Sequence, residues 1–177
     1  MSNIVFIATS LDGYIADKNN DIQWLNNIDN PNGDDMGFAA HMEKVDAIVM
    51  GRNTFELVAS FAGQWPYTKK VFVLSNSLTE LAPRFNDKAE LIHGSVKNIV
   101  STLHKRGYKN LYIDGGNTIQ QFLADDLIDE MIITTIPILL GGGIALFADL
   151  ATPLTFKHIK ADRYLDAIIQ NHYRRVR

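Results

Sequence analysis

The sequence predicts an α/β fold built on a mixed, mostly parallel sheet, and three observations carry that prediction. Short runs rich in β-branched and aromatic residues alternate with helical stretches; one of those stretches repeats apolar residues at clear helical spacing; and the chain closes on two alternating runs that read as an antiparallel hairpin. Strands that alternate with helices are the pattern of layered α/β domains, in which crossover helices join parallel strands.

Taken in order, the candidate strands are 4–9, 47–50, 70–74, 89–92, 110–113 and 130–136. Val96, Ile99, Val100 and Leu103 fall at i, i+3, i+4 and i+7, with Ser95 placed to cap the helix and Gly107 placed to stop it. Further helices are expected over 34–44, 54–60 and 118–124. The runs 154–160 and 164–173 alternate and meet across Ala161-Asp162-Arg163, where a hairpin turn is expected. With the hairpin, the sheet should have about eight strands, parallel in the centre and antiparallel at the C-terminal end.

Composition narrows the function. The 177 residues, 46% hydrophobic and 21% charged, suit one domain over 1–177, and no linker or repeat marks a boundary. No apolar run reaches the about 18 residues of a membrane-spanning helix. The opening MSNIVFIATSLDG reads as a strand rather than a signal peptide. The absence of cysteine removes disulfides, zinc ribbons, iron–sulfur clusters and thiolate nucleophiles, and fits a cytoplasmic location. A net charge of −3 without a basic block gives no electrostatic footprint for nucleic acid or for an anionic membrane, so an anionic ligand would have to be held locally.

Two segments have the form strand, glycine turn, helix start: residues 47–50 followed by Gly51-Arg52-Asn53-Thr54, and residues 111–113 followed by Asp114-Gly115-Gly116-Asn117-Thr118. Glycine lets the backbone approach a ligand, and the N–H groups of the following helix start attract phosphate. Arg52 adds a forked cationic donor. Both loops leave the carboxyl ends of strands, where open α/β sheets bind ligands. As a purely structural alternative, the glycines make tight turns while Thr54 and Thr118 cap helices. The triplet Gly141-Gly142-Gly143 is a third candidate phosphate loop, or else a flexible strand-end loop.

Asp35, Phe38, Met42 and Val45 recur at helical spacing, which puts the Asp35 carboxylate at the end of an apolar stripe. A poorly solvated acid there would have a raised pKa and could relay a proton or pair with an N–H-rich heterocycle; alternatively, Asp34 and Asp35 only start a helix. The five histidines are far apart, so no metal site is expected, and no G-x-S-x-G elbow supports a hydrolase.

The segments from Ile7 to Ala16 (IATSLDGYIA), Asp21-Ile22-Gln23-Trp24, Val49 to Phe55 (VMGRNTF), Val73-Leu74-Ser75-Asn76 and Gly115 to Leu123 (GGNTIQQFL) occur in an order that resembles the dihydrofolate reductase superfamily. The SLDGYIA opening and Pro137 to Gly143 (PILLGGG) are similar to the branch named for the C-terminal reductase domain of the bifunctional riboflavin-biosynthesis deaminase/reductase. The resemblance implies a three-layer reductase fold that uses NADPH. By the same resemblance, Ala8, Ile15 and Ala16 would meet the nicotinamide; Gly51, Arg52, Asn53 and Thr54 the pyrophosphate and 2′-phosphate; Leu74, Ser75 and Asn76 the adenosine side; and Gly115, Gly116, Asn117, Thr118 and Ile119 the far side of the pyrophosphate. Asp35, sixteen positions before Gly51, falls at the spacing of the family's substrate-binding acid, and Thr134 falls where a threonine bonds that acid. Gln23 replaces the usual proline before the tryptophan, Ile119 replaces an aromatic residue, and no basic pair is dedicated to a ribose phosphate. The implied substrate is a small heterocycle, pterin-like or pyrimidine-like, of the dihydrofolate or 5-amino-6-ribosylaminouracil type. The alternative is a non-catalytic dinucleotide-binding or sensing module. The resemblance also implies a homodimer, for which 131–140 is either an interface or a central buried strand.

Overall fold

Side chains that alternate along the strands feed two cores, one on each face of an eight-stranded sheet. The structure is a computed structural model and describes residues 1–61 and 64–177. Its strands are β1 (Ser2–Ser10), β2 (Tyr14–Ala16), β3 (Ala47–Gly51), β4 (Lys70–Leu74), β5 (Ala89–Ile92), β6 (Asn110–Asp114), β7 (Glu130–Ile136), β8 (Ile144–Ala145), β9 (Phe156–Tyr164) and β10 (Ile168–Arg175). The helices are α1 (Phe38–Lys44), α2 (Arg52–Ser60), α3 (Val96–Lys105) and α4 (Gly116–Ala124).

The main sheet runs β5-β4-β3-β6-β1-β7-β10-β9. Its first six strands pair in parallel, and β10 and β9 add an antiparallel end. Val5, Val49 and Phe72 point to the face covered by α3 and α4, whereas their neighbours Ile4, Ile48 and Val71 point to the face of α1 and α2. The result is the three-layer α/β arrangement the sequence predicts. Ser95 caps α3 through Asn98 N–H, and Gly107, at φ 98°, ends it. Among the described residues no helix is long and apolar enough to cross a membrane.

Two expectations are corrected, and one open alternative is resolved in part. The helix expected over 34–44 starts only at Phe38, because Met36 (φ 52°) and Gly37 (φ 85°) both adopt left-handed conformations that a helix cannot include. The hairpin turns at Leu165 and Asp166, both left-handed (φ 49° and 56°), rather than at 161–163, which lie inside β9 opposite Asn171, Gln170 and Ile169. Residues 131–136 of the candidate interface belong to β7, a strand paired on both sides, with Met131 and Ile136 buried.

His41 of α1 is 3% exposed, stacked on Phe6 at 4.9 Å and edge-on to Tyr112 at 4.8 Å, and neither ring nitrogen has a partner. Burial, helped by Lys44, pushes its pKa from 6.5 down to about 4. A histidine depressed in this way contributes stability that is complete above its unfolded pKa and lost as pH falls through the folded one. At about 1.4 kcal/mol per unit, the loss approaches about 3 kcal/mol. Urea unfolding at pH 7 and pH 4 should therefore show the wild type losing about that much relative to His41→Phe; a difference independent of pH would refute this.

Candidate functional site

Adjacent parallel strands β4, β3, β6 and β1 all end at one edge of the sheet, and a cleft of about 810 Å³ opens there. It lies at the carboxyl ends, where α/β sheets place ligands. Its volume falls within the range of small-molecule and cofactor sites.

Two helix starts face each other across the cleft. Strand β3 ends in Gly51 and turns into α2; strand β6 ends in Asp114, turns at Gly115 and enters α4 at Gly116. Each turn glycine abuts the first-turn threonine of the other helix. A Cβ on Gly51 would lie 3.0 Å from Thr118 Oγ1, and one on Gly115 would overlap the Thr54 hydroxyl. Only glycine permits this approach, and it brings two sets of unpaired helix N–H groups to one place, which suits an anion shared between them. Gly51 and Gly115 hold the cap positions, so Thr54 and Thr118 sit one turn inside their helices rather than capping them.

Arg52 stands beside these N–H groups with its side chain 45% exposed. Its contacts, Ser77 Oγ at 3.4 Å and Glu56 at 3.7 Å, are long and solvated, so little energy holds the guanidinium away from a ligand. Ser75 anchors the same rim: its hydroxyl accepts from Ser77 N–H (3.3 Å) and Leu78 N–H (3.1 Å).

The small antiparallel pair of β2 and β8 roofs the α4 entrance. A Cβ on Gly116 would meet Ile15 Cδ1 at 2.8 Å and Ile144 Cγ2 at 3.3 Å. The glycine triplet belongs to this roof. Gly143 lies against the Ala16 carbonyl too closely for any side chain, and the N–H groups of Leu140 and Gly141 already donate to the Asp12 carboxylate at 3.1 and 2.8 Å. An acid occupies the position a phosphate would need, and none of the three glycines lines the cleft, which removes the third loop from the phosphate candidates.

Phe6, Phe38, Leu57, Phe61 and Tyr112 give the cleft an apolar lining, and its one acid among the described residues is Asp114, directly before the α4 entrance. Asp114 Oδ1 accepts from Gly115 N–H at 2.8 Å, and Oδ2 accepts from the Tyr67 hydroxyl at 3.4 Å. Burial raises the Asp114 pKa to about 6, with the Gly115 N–H bond opposing part of the shift. The Tyr67 phenol, itself pushed up by burial and by Asp114, stays protonated and remains a donor. The hydroxyl of Tyr112 donates to the Phe6 carbonyl at 3.0 Å and also lies beside the Asp114 carboxylate, where it opposes part of the shift as well.

Of the residues singled out from the sequence, Ala8, Ile15, Ala16, Gly51, Arg52, Asn53, Thr54, Leu74, Ser75, Gly115, Gly116, Asn117 and Thr118 line this one cleft. Asn76 and Ile119 do not: Asn76 Oδ1 accepts from Gly94 N–H at 3.1 Å, and Ile119 is fully buried under α4. Asp35 and Thr134 are also outside the lining. Asp35 is exposed, and its oxygens accept from Gly37 N–H (2.9 Å) and Ala39 N–H (2.8 Å), so its pKa is lowered, not raised. Thr134 is buried, but its hydroxyl accepts from Gln170 Nε2 (2.9 Å), and the same amide donates to the Met36 carbonyl (3.0 Å). Gln170 takes the place that the resemblance gives to the acid. The residues missed from the sequence are Asp114 and Tyr67. An acid directly before a glycine turn at a strand's carboxyl end was a usable signal for the first; Tyr67 lies in irregular chain and had none.

A sequence profile of the RibD C-terminal domain matches residues 3–168. The chain belongs to the RibD C-terminal domain family. A protein of Shewanella sp. PV-4, provisionally described as a riboflavin biosynthesis protein, is 55% identical over the full length of both chains, with a TM-score of 0.97. The Thermotoga maritima diaminohydroxyphosphoribosylaminopyrimidine deaminase/5-amino-6-(5-phosphoribosylamino)uracil reductase superposes with a TM-score of 0.73 at 20% identity, over 99% of this chain and 56% of that one. Enterococcus faecalis dihydrofolate reductase superposes with a TM-score of 0.68 at 16% identity, covering 98% and 96%. The family therefore has the dihydrofolate-reductase-like fold, and its members include reductase domains.

Proposed function

We propose that this chain is an NADPH-dependent reductase that delivers a hydride to a small heterocycle. The observation that carries the proposal is the cleft itself: two glycine-led helix starts and Arg52, together with an apolar aromatic lining and Asp114, the single acid among its described lining residues. Close packing at Gly51 and Gly115 against Thr118 and Thr54 sets the two helix starts face to face, which fits a dinucleotide pyrophosphate. NADPH, when bound, supplies the hydride. Arg52, Ser75 and Ser77 would hold the phosphate on the adenosine ribose, while Asn53, Thr54, Asn117 and Thr118 offer N–H and hydroxyl donors to the pyrophosphate. Ala8, Ile15 and Ala16 would wall the nicotinamide and keep water away from it. Asp114, with Tyr67 behind it, would take an N–H of the substrate ring and favour the positive charge that a C=N bond acquires when it is protonated before reduction. The family resemblance also supports a homodimer, and Leu139 (68% exposed) and Phe147 (51%), beyond β7, are apolar side chains that such an interface would cover.

Titration of NADPH followed by nicotinamide fluorescence tests the reading. Loss of the Arg52 guanidinium removes a charge-assisted contact of about 1.5–3 kcal/mol, so Arg52→Ala should weaken NADPH at least about tenfold and erase its advantage over NADH. Wild-type protein that binds neither nucleotide would sink the proposal.

A further inference from the structure

The proposed reductase reading leaves the substrate open, and the charges of the cleft restrict it. Among the described residues lining the cleft, the only charged side chains are Arg52 and Asp114. Arg52 extends from the first turn of α2 toward Ser77, next to the two facing helix starts, and so belongs to the end that suits the dinucleotide's phosphates. Phe6, Phe38, Phe61, Tyr67 and Tyr112 line the same cleft as Asp114, and apart from Arg52 no lysine, arginine or histidine is among its described lining residues. The two residues outside the description, Ala62 and Gly63, carry no charge.

We infer that the substrate is a planar, unphosphorylated nitrogen heterocycle, stacked among these aromatic rings and held by its N–H groups on Asp114. A phosphoester beside Asp114 would bring a dianion next to a carboxylate, and once the dinucleotide's phosphates engage the helix starts and Arg52, no other cationic side chain among the described lining residues is left to receive it. A ring with adjacent N–H donors answers the pocket in both respects. Its faces match the aromatic walls, and its donors add to the contacts that the Asp114 carboxylate receives among the described residues from Gly115 N–H, Tyr67 at 3.4 Å and Tyr112. The inference separates this chain from the phosphoribosyl-substituted uracil named for the Thermotoga reductase, although the two share a fold.

The test uses the full chain saturated with NADP⁺ and three probes titrated by calorimetry: 5-amino-6-(5-phosphoribosylamino)uracil, the same compound without its phosphate, and 2,4-diaminopteridine. The unphosphorylated uracil should bind at least tenfold tighter than its phosphate, and in Asp114→Asn that ratio should shrink to under threefold. The diaminopteridine should bind the wild type and lose at least tenfold in Asp114→Asn, while NADP⁺ affinity in that variant reports that the fold is intact. Equal or tighter binding of the phosphorylated compound overturns the inference. So does failure of all three probes to bind a protein that NADP⁺ saturates. Failure of the nucleotide itself to bind overturns the underlying reductase reading instead.

Discussion

Asp114→Asn is expected to lower turnover by about two to four orders of magnitude while leaving the NADPH dissociation constant within about twofold of wild type. The carboxylate reaches the cleft floor from the last residue of β6, and the amide of Asn can still accept the Gly115 N–H that holds it there. What the variant loses is negative charge beside the substrate ring. Stability should move in the opposite direction. Burial raises the Asp114 pKa from its ordinary 3.8 to about 6, so the ionised form is penalised in the folded protein. For an acid raised in this way, the penalty is full above pH 6 and fades as pH falls toward 3.8. At about 1.4 kcal/mol per unit it reaches at most about 3 kcal/mol at neutral pH. Asn removes it, so Tm at pH 7 should rise as turnover collapses, a pairing that damage to the fold would not produce. The wild-type kcat/KM should also fall as pH drops below about 6, and Asp114→Asn should lack that limb. A variant that keeps turnover, or loses NADPH affinity in parallel, would remove Asp114 from the role given to it.

The same acid shows where reading a sequence reaches its limit. The parallel strands were legible because their information is local: Ile48-Val49-Met50 and Val71-Phe72-Val73 are buried on both faces and read as short apolar runs. The two glycine-led loops were legible for a similar reason, since strand, glycine and helix start are contiguous in each. Asp35 failed on local grounds. The apolar stripe of α1 extends backward in sequence onto Asp35, but the left-handed backbone at Met36 and Gly37 turns that carboxylate out to cap the helix entrance. Thr134 and Gln170 meet across β7 and β10, a pairing between strands distant in sequence that no local pattern specifies. Asp114 acquires its environment from β6, which also carries Tyr112, and from the irregular chain carrying Tyr67, segments that only the fold brings together. Local chemistry therefore located the anion site of the cleft, and tertiary packing gave the acid beside it its buried environment.

Gly115→Ala should have the largest effect on nucleotide binding of any single methyl group added to this chain, weakening NADPH by at least about a hundredfold. Two costs act together. Gly115 adopts φ 87° and ψ 137°, which an alanine reaches only with strain of about 1–3 kcal/mol. The new Cβ would also overlap the Thr54 hydroxyl and lie 3.2 Å from Thr54 Cβ, a β-branched side chain in the first turn of α2 with little freedom to turn away. Relief requires the entrances of α2 and α4 to separate, and that separation breaks the arrangement by which their N–H groups converge on one anion. Thr54→Ala should therefore restore part of the affinity in the double variant by removing the hydroxyl overlap, while the backbone strain remains. Isothermal titration of NADPH into the two single variants and the double gives the coupling directly. Strictly additive losses would show that Gly115 and Thr54 act independently and that the facing helix starts do not form one site.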